Sequence, residues 1–264
     1  MSKIIAEIGA NHMGSMDVAA SMIRAAASVG VDVCKFQSWR ADRLTKDWPD
    51  YDKAYQYYKQ HELTEDNHRF LIDECKKANV EFLTSVFDRD QVKFLKSLGL
   101  KKIKIASPDA TSWSLIDDCL DAFGEVVIST GMSSDMETES LMRMIEVIGC
   151  RSKVVILHCV SEYPALRPNM GRMLSFKDKG YRYGYSDHTK GTDAAKLAIA
   201  LGAEYVERHY TLNRLLPGKD HFISSTPDEF EEICKWRDKV KRMMKPTKVE
   251  PKNLAYRGKW GSNA

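Results

Sequence analysis

Short runs rich in Ile and Val alternate along the chain with longer stretches in which apolar residues recur every three or four positions. Eight runs stand out: Ile4 to Ile8, Val31 to Phe36, Val80 to Phe87, Lys102 to Ala106, Val126 to Ser129, Val154 to Val160, Tyr181 to Tyr185 and Tyr205 to His209. They are nearly continuous in apolar character, the pattern of strands buried on both faces in a parallel sheet covered by helices. Between them a helical period predicts helices at Met16 to Val29, Thr64 to Ala78, Arg89 to Leu98, Leu115 to Ala122, Ser134 to Ile148, Asp193 to Leu201 and Pro227 to Met243. Ser133, Ser134 and Thr226 are good capping residues, and Gly30, Gly99, Gly149 and Gly202 sit where helices should stop. Eight such strands in 264 residues predict one α/β domain, a (β/α)8 TIM barrel.

Two segments break this rhythm. Arg40 to His61 carries five Tyr or Trp residues among many charges. A connection of that length is either a lid over a binding site or a solvated insertion with an aromatic anchor. From Lys245 onward the chain is basic and rich in turn formers, so the barrel is expected over residues 1–244 and an extended arm over 245–264.

Charge narrows the partners. Forty Lys and Arg against 37 Asp and Glu are interspersed, so no basic face is set out for nucleic acid. No apolar stretch approaches the ~18 residues of a membrane span, and the amino terminus lacks the apolar core of a secretory signal. The expectation is a cytoplasmic protein with no nucleic-acid or membrane partner. Six cysteines without a CxxC pair, several inside apolar runs, are expected to be buried reduced thiols.

A barrel of this kind carries its chemistry at the carboxyl ends of its strands. The polar residues there are Glu7 with Asn11 and His12, Lys35 with Gln37, Ser85 with Asp88, Lys104 with Ser107, Ser129 with Thr130, His158 with Ser161 and Tyr163, Ser186 with Asp187 and His188, and Glu207 with His209. Lys35, Lys104 to Ser107 and Ser129 to Gly131 combine ammonium, hydroxyl and backbone N–H donors, a set that suits a phosphate or carboxylate. His188 and His209 end consecutive strands and fit either a catalytic metal or ordinary hydrogen-bonded histidines. Glu7 lies inside an apolar strand. It reads as a desolvated carboxylate suited to proton transfer, or as an ion-pair partner of Lys35.

The strings AEIGANHMG (6–14), KFQ (35–37), KIAS (104–107), STGM (129–132), LHCVSEYPA (157–165), GYSDHT (184–189), ERHYTL (207–212) and PGKDHFISSTPDEF (217–230), in this order, resemble the sialic acid synthase family. That family condenses phosphoenolpyruvate with an aldose to give a nonulosonic acid. The resemblance implies that Lys35, Ser85, Lys104, Ser107, Ser129, Ser161 and Ser186 hold phosphoenolpyruvate. It implies that His188 and His209 bind a divalent metal, manganese first, with magnesium or cobalt as alternatives. Glu7 falls at the family's catalytic carboxylate, with Lys35 and Lys104 as its catalytic cations, while Gln37, Tyr163 and Asp220 match sugar contacts. The partners implied are phosphoenolpyruvate, a sugar aldehyde and further copies of the chain in a homo-oligomer.

Three features depart from the family pattern. Members usually continue into an antifreeze-like domain that lends an arginine to a neighbouring subunit's sugar site, and this chain leaves no room for one. Ser161 replaces the Asn of N-acetylneuraminate synthases, and the SEYPA string is nearer to the legionaminic acid and spore-coat branches. The TSVFD segment (84–88) lacks a proline common after the phosphate contact. Either Arg40 to His61 or the arm with Arg257 and Lys259 is therefore expected to close the mouth. A metal-dependent hydrolase or lyase on the same barrel, and a non-catalytic sugar-binding member, are the alternative readings.

Overall fold

The computed structural model describes residues 2–247. Eight parallel strands close in sequence order into one barrel: β1 (Lys3–Glu7), β2 (Val33–Ser38), β3 (Glu81–Val86), β4 (Lys102–Ile105), β5 (Glu125–Ser129), β6 (Val154–Cys159), β7 (Arg182–Asp187) and β8 (Tyr205–His209). Around them lie α1 (Met16–Ser28), α2 (Tyr51–His61), α3 (Glu65–Lys77), α4 (Arg89–Ser97), α5 (Trp113–Ala122), α6 (Asp135–Ile148), α7 (Met170–Asp178), α8 (Asp193–Ala200) and α9 (Pro227–Met243). The (β/α)8 expectation is met, and seven helices fall where the periodicity placed them. Two do not appear in the sequence reading: α2, within the aromatic segment, and α7. The expected arm over 245–264 lies almost wholly outside the described residues.

Local signals account for the helix starts. Thr64, Ser134 and Thr226 each close a reciprocal capping box with the residue three positions on. Asp88 caps α4 by accepting from the Gln91 N–H at 3.1 Å. Gly149 ends α6 in the left-handed conformation that glycine adopts without strain.

Register stacks the inward-facing side chains in layers. At the amino-terminal end Lys102 links Glu81 at 2.9 Å to Glu125 at 3.4 Å, with Lys3 and Arg182 joining the same carboxylates. Above this plug lies hydrocarbon: Ile5, Val33, Leu83, Val127, Val155 and Leu157, with the Tyr205 ring, all buried. At Gly184 a Cβ would come within 2.4 Å of the Tyr205 carbonyl oxygen and 2.5 Å of Leu157, so only glycine fits there. One step further toward the carboxyl ends, Glu7 is paired in register with both Lys35 and His209, Ser85 with Gln37 and Lys104, and Ser186 with Cys159 and Glu207.

The larger apolar cluster fills the space between the barrel's outer face and the helices. All six cysteines are free and buried, as expected. In this outer shell the fully buried Asp187 and Arg208 form an ion pair. Arg208 also donates to Ser225 Oγ and the Thr189 carbonyl, both at 2.9 Å. Removing one partner of such a pair strands a charge in a dry interior. Arg208→Met is therefore expected to lower the unfolding free energy by about 3–5 kcal/mol in urea titrations; a loss under about 1 kcal/mol would show that Asp187 finds water or another partner.

Candidate active site

A cavity of about 550 Å³ opens at the carboxyl ends of the strands. Every residue to which the family resemblance assigns a role lines it except Ser85. Ser85 is fully buried, its Oγ accepting from Lys35 Nζ at 3.0 Å.

The floor is a buried charge cluster. Lys35 Nζ lies 2.7 Å from Glu7 Oε2 and 3.8 Å from Glu207 Oε1. Gln37 Nε2 donates to Glu7 Oε1 at 2.6 Å. Lys104 Nζ donates to Ser129 Oγ at 2.7 Å and to the Ile105 carbonyl at 3.1 Å, and Ser186 Oγ donates to Glu207 Oε1 at 3.3 Å. At the rim Ser107 Oγ accepts from the Gly131 N–H at 3.0 Å. The proton-transfer and ion-pair readings of Glu7 thus describe one residue: it pairs with Lys35 and faces the cavity.

Burial sorts the two carboxylates. Desolvation, opposed by the Lys35 ammonium and reinforced by Glu207, pushes Glu7 up to about 7. Glu207 feels the same burial, but Lys104 and Lys35 outweigh it and hold the carboxyl below its usual value. Burial lowers Lys104. It would lower Lys35 too, but Glu207 and Glu7 together hold that ammonium above its ordinary value. The two carboxyls are thus pushed apart, Glu7 toward neutrality and Glu207 below the ordinary carboxylate value.

Beside this floor His188 and His209 stand with ring centroids 5.5 Å apart. His188 Nδ1 lies 2.9 Å from the Val160 carbonyl, which accepts only, so Nδ1 carries a proton. Burial would lower His188, but Cys159 and the Val160 carbonyl hold it above its ordinary value. Burial lowers His209 to about 4, with Asp220 opposing, so its ring is neutral at pH 7. Its Nδ1 is buried without a hydrogen-bond partner, 3.9 Å from Asp220 Oδ2. Two imidazoles with an oxygen donor nearby suit a borderline divalent cation, which would displace a proton from His188 and leave positions for substrate and water. Among the described residues no three His, Cys, Asp or Glu side chains gather into a group that could hold a metal by themselves. Tyr163 stacks on His188 at 4.2 Å and leaves 48% of its surface open.

Other polar strand ends fall away from the cavity. His158, with its Nε2 2.7 Å from the Pro168 carbonyl, and Asp187 project between barrel and helices. Asn11 braces the Tyr210 carbonyl and Ser224 Oγ, both at 2.9 Å, and His12 packs against His61. Glu207, a strand end with no assigned role in the sequence reading, and Cys159, treated there as a packing thiol, both line the cavity. So does the segment that follows β2, through Trp39, Arg40, Arg43, Trp48 and Tyr58. Arg257 and Lys259 lie outside the described residues.

A family model described as the NeuB family matches residues 22–248. The chain belongs to this family. Among relatives, N,N'-diacetyllegionaminic acid synthase of Campylobacter jejuni is 34% identical over 95% of this chain and 81% of its own length. N-acetylneuraminate-9-phosphate synthase of Homo sapiens is 31% identical over 98% and 76%. Among solved structures, N-acetylneuraminic acid synthetase from Leptospira borgpetersenii, determined in complex with citrate, superposes with a TM-score of 0.85 at 32% identity, covering 96% of this chain and 88% of that one. The family membership read from the motifs is thereby established, and this NeuB barrel is an enzyme of the sugar-acid synthase kind.

The asymmetry of the two carboxylates is open to direct measurement. With carboxyl-labelled glutamate, the ¹³C resonance of Glu7 is expected to titrate with a midpoint near 7. Glu207→Gln removes a negative neighbour and should move that midpoint down. A Glu7 midpoint at the ordinary carboxylate value would contradict the assignment.

Proposed function

We propose that this NeuB-family barrel condenses phosphoenolpyruvate with an aldose, forming a carbon–carbon bond and releasing phosphate to give a 2-keto-3-deoxy sugar acid of the nonulosonic type. The supporting observation is that one cavity joins a two-lysine, serine-rich floor to an imidazole pair, with Glu7 next to both.

Lys35 and Lys104, with the hydroxyls of Ser107, Ser129, Ser161 and Ser186, supply the cations and donors that an anion carrying both carboxylate and phosphate needs. His188 and His209 would hold a divalent cation, manganese first, whose contribution when bound is Lewis-acid polarisation of the acceptor's carbonyl. Tyr163, Gln37 and Asp220 border that wall and orient the sugar's hydroxyls. The enol's carbon–carbon electron pair then forms the new bond to the aldehyde carbon, and the aldehyde oxygen takes up a proton. Water adds at carbon 2 as its proton passes to Glu7, which burial has brought to the middle of the working pH range. Collapse of the tetrahedral centre forms the keto group and breaks the carbon–oxygen bond to phosphate. The lysines stabilise the charge that collects there.

Phosphate release from phosphoenolpyruvate, measured against hexosamines, pentoses and short aldehydes, tests this reading. Release that requires an aldose, stops in excess chelator and returns with manganese is expected. His209→Ala should weaken metal binding at least ~10-fold. Full turnover in chelator would remove the metal from the scheme, and absence of phosphoenolpyruvate binding would remove the synthase reading.

Glu7→Gln keeps the shape and one acceptor oxygen but cannot accept a proton, so turnover should fall roughly 10²- to 10⁴-fold while phosphoenolpyruvate still binds. Turnover in the unsubstituted enzyme should rise with pH through about 7, as Glu7 ionises, and the substitution should remove that limb. Loss of binding in its place would mean that Glu7 serves only to hold Lys35.

A further inference from the structure

Between β5 and α6 the chain runs from Thr130 to Ser134 past the rim of the substrate cavity. This loop touches the groups proposed to hold phosphoenolpyruvate. The Gly131 N–H donates to Ser107 Oγ at 3.0 Å, and Ser129 Oγ, one position before the loop, accepts from Lys104 at 2.7 Å. Gly131 has no room for a side chain, since a Cβ would come within 2.5 Å of Ser161 Oγ and 2.8 Å of Cys159 Sγ.

The loop is fastened from its outer side by Arg172, in the first turn of α7. Nη1 donates to the Thr130 carbonyl at 3.2 Å, Nη2 to the Ser133 carbonyl at 3.1 Å and to Thr138 Oγ1 at 2.8 Å, and Nε to Asp135 Oδ1 at 3.0 Å. Asp135 is almost fully exposed, so that ion pair contributes little and the contacts to the loop set the geometry. Arg172 does not line the substrate cavity; it lines a separate groove between α6 and α7.

The Thr130 carbonyl and the Gly131 N–H belong to one trans peptide group, so they point in opposite directions. Holding the carbonyl on the outer side therefore aims the N–H at Ser107 on the inner side. A cation on the carbonyl also polarises the peptide and strengthens the N–H as a donor. Ser107 Oγ, once it accepts that bond, can turn its own proton toward an anion in the cavity.

We infer that Arg172 is a positioning residue for the anion-binding wall, acting through the Thr130–Gly131 peptide on Ser107 with no contact of its own to the substrate. The inference rests on the synthase reading and adds to it a residue that neither lines the cavity nor ends a strand.

The test measures phosphoenolpyruvate binding by calorimetry on the whole chain, and the KM of phosphoenolpyruvate and of the aldose in the presence of manganese. Arg172→Ala should weaken phosphoenolpyruvate binding about tenfold, the scale of a lost charge-assisted hydrogen bond, and leave the aldose KM unchanged. Arg172→Lys keeps the charge without the planar fork and should lose about threefold. Because the route runs through Ser107, Arg172→Ala made in a Ser107→Ala background should cost less than about twofold more. Where Arg172→Ala fails to fold, Arg172→Lys is read in both backgrounds to the same end. Unchanged phosphoenolpyruvate binding in the Arg172 variants, losses at Arg172 and Ser107 that simply multiply, or an equal rise in both KM values overturns the inference and leaves the synthase reading standing. Failure of the unsubstituted protein to bind phosphoenolpyruvate overturns that reading and the inference with it.

Discussion

Two lysines and two glutamates, all nearly out of reach of water, share the upper layer of the barrel, and the rest of the site is organised around keeping them there. Each would be prohibitively costly alone. Lys35 is stabilised by Glu7, Glu207 and Ser85, and Lys104 by Ser129 and the Ile105 carbonyl. The hydrocarbon layer below denies the cluster water from the far end. With all four groups ionised the cluster is neutral, a poor receptor for a multiply charged anion. Glu7, held near 7, resolves this: when it carries a proton the cluster has one net positive charge, and an arriving anion favours that proton in turn. Anion binding therefore favours the protonated form of Glu7 while only its ionised form can take a proton from water, so binding and proton transfer draw on opposite states of the same carboxyl.

Closed-barrel geometry makes such a cluster possible without strain. Alternation along each strand sends every second side chain to the axis, and the parallel register brings Glu7 level with Lys35 on one side and His209 on the other. The same rule moves Asp187, one residue from Ser186 and one from His188, into the outer shell, where its partner Arg208 likewise adjoins Glu207 and His209. Neighbours in sequence thus serve opposite purposes, one set reactive and the other holding strands to helices.

The strands and most helices were legible because their apolar residues repeat at the period of the element and because Thr64, Ser134 and Thr226 mark starts with capping boxes. Helix α2 left no such trace. Its residues are mostly Tyr, Lys and Gln, it buries only Ala54 and His61, and its amino-terminal residue Asp50 is left-handed and makes no side-chain cap. Helix α7 buries only Met173 and Phe176 and starts from an equally uncapped Asn169. In the site, nearly all the lining groups could be named from strand ends. Which of two adjacent polar residues faces the axis could not, because shifting a strand's inward set by one residue exchanges its two faces and strand ends are uncertain by at least that much. This is why His158 and Asp187 stand in the sequence pattern beside Ser161 and Ser186 yet face away from the axis. Glu207 was visible but without a role until the distance to Lys35 gave it one.

The cavity's two ends answer to different constraints. Its floor lies on eight strands whose register admits little change, so the charges that activate the reacting groups are fixed by the same hydrogen bonds that close the barrel. A truncated 3-deoxy-D-arabino-heptulosonate 7-phosphate synthase from Thermotoga maritima superposes with a TM-score of 0.70 at only 13% identity, so very different sequences build the same barrel. The mouth is made by a connection after β2, where an added turn or helix disturbs no strand pairing. Its aromatic face is held by edge contacts among Trp39, Trp48 and Tyr58 and by one lysine from the β8 side, none of which the barrel itself requires. The lining of the mouth can therefore change without disturbing the buried charge cluster. For that reason the buried charges are read from the strand ends, and the lining of the mouth from the segment that interrupts the strand–helix rhythm.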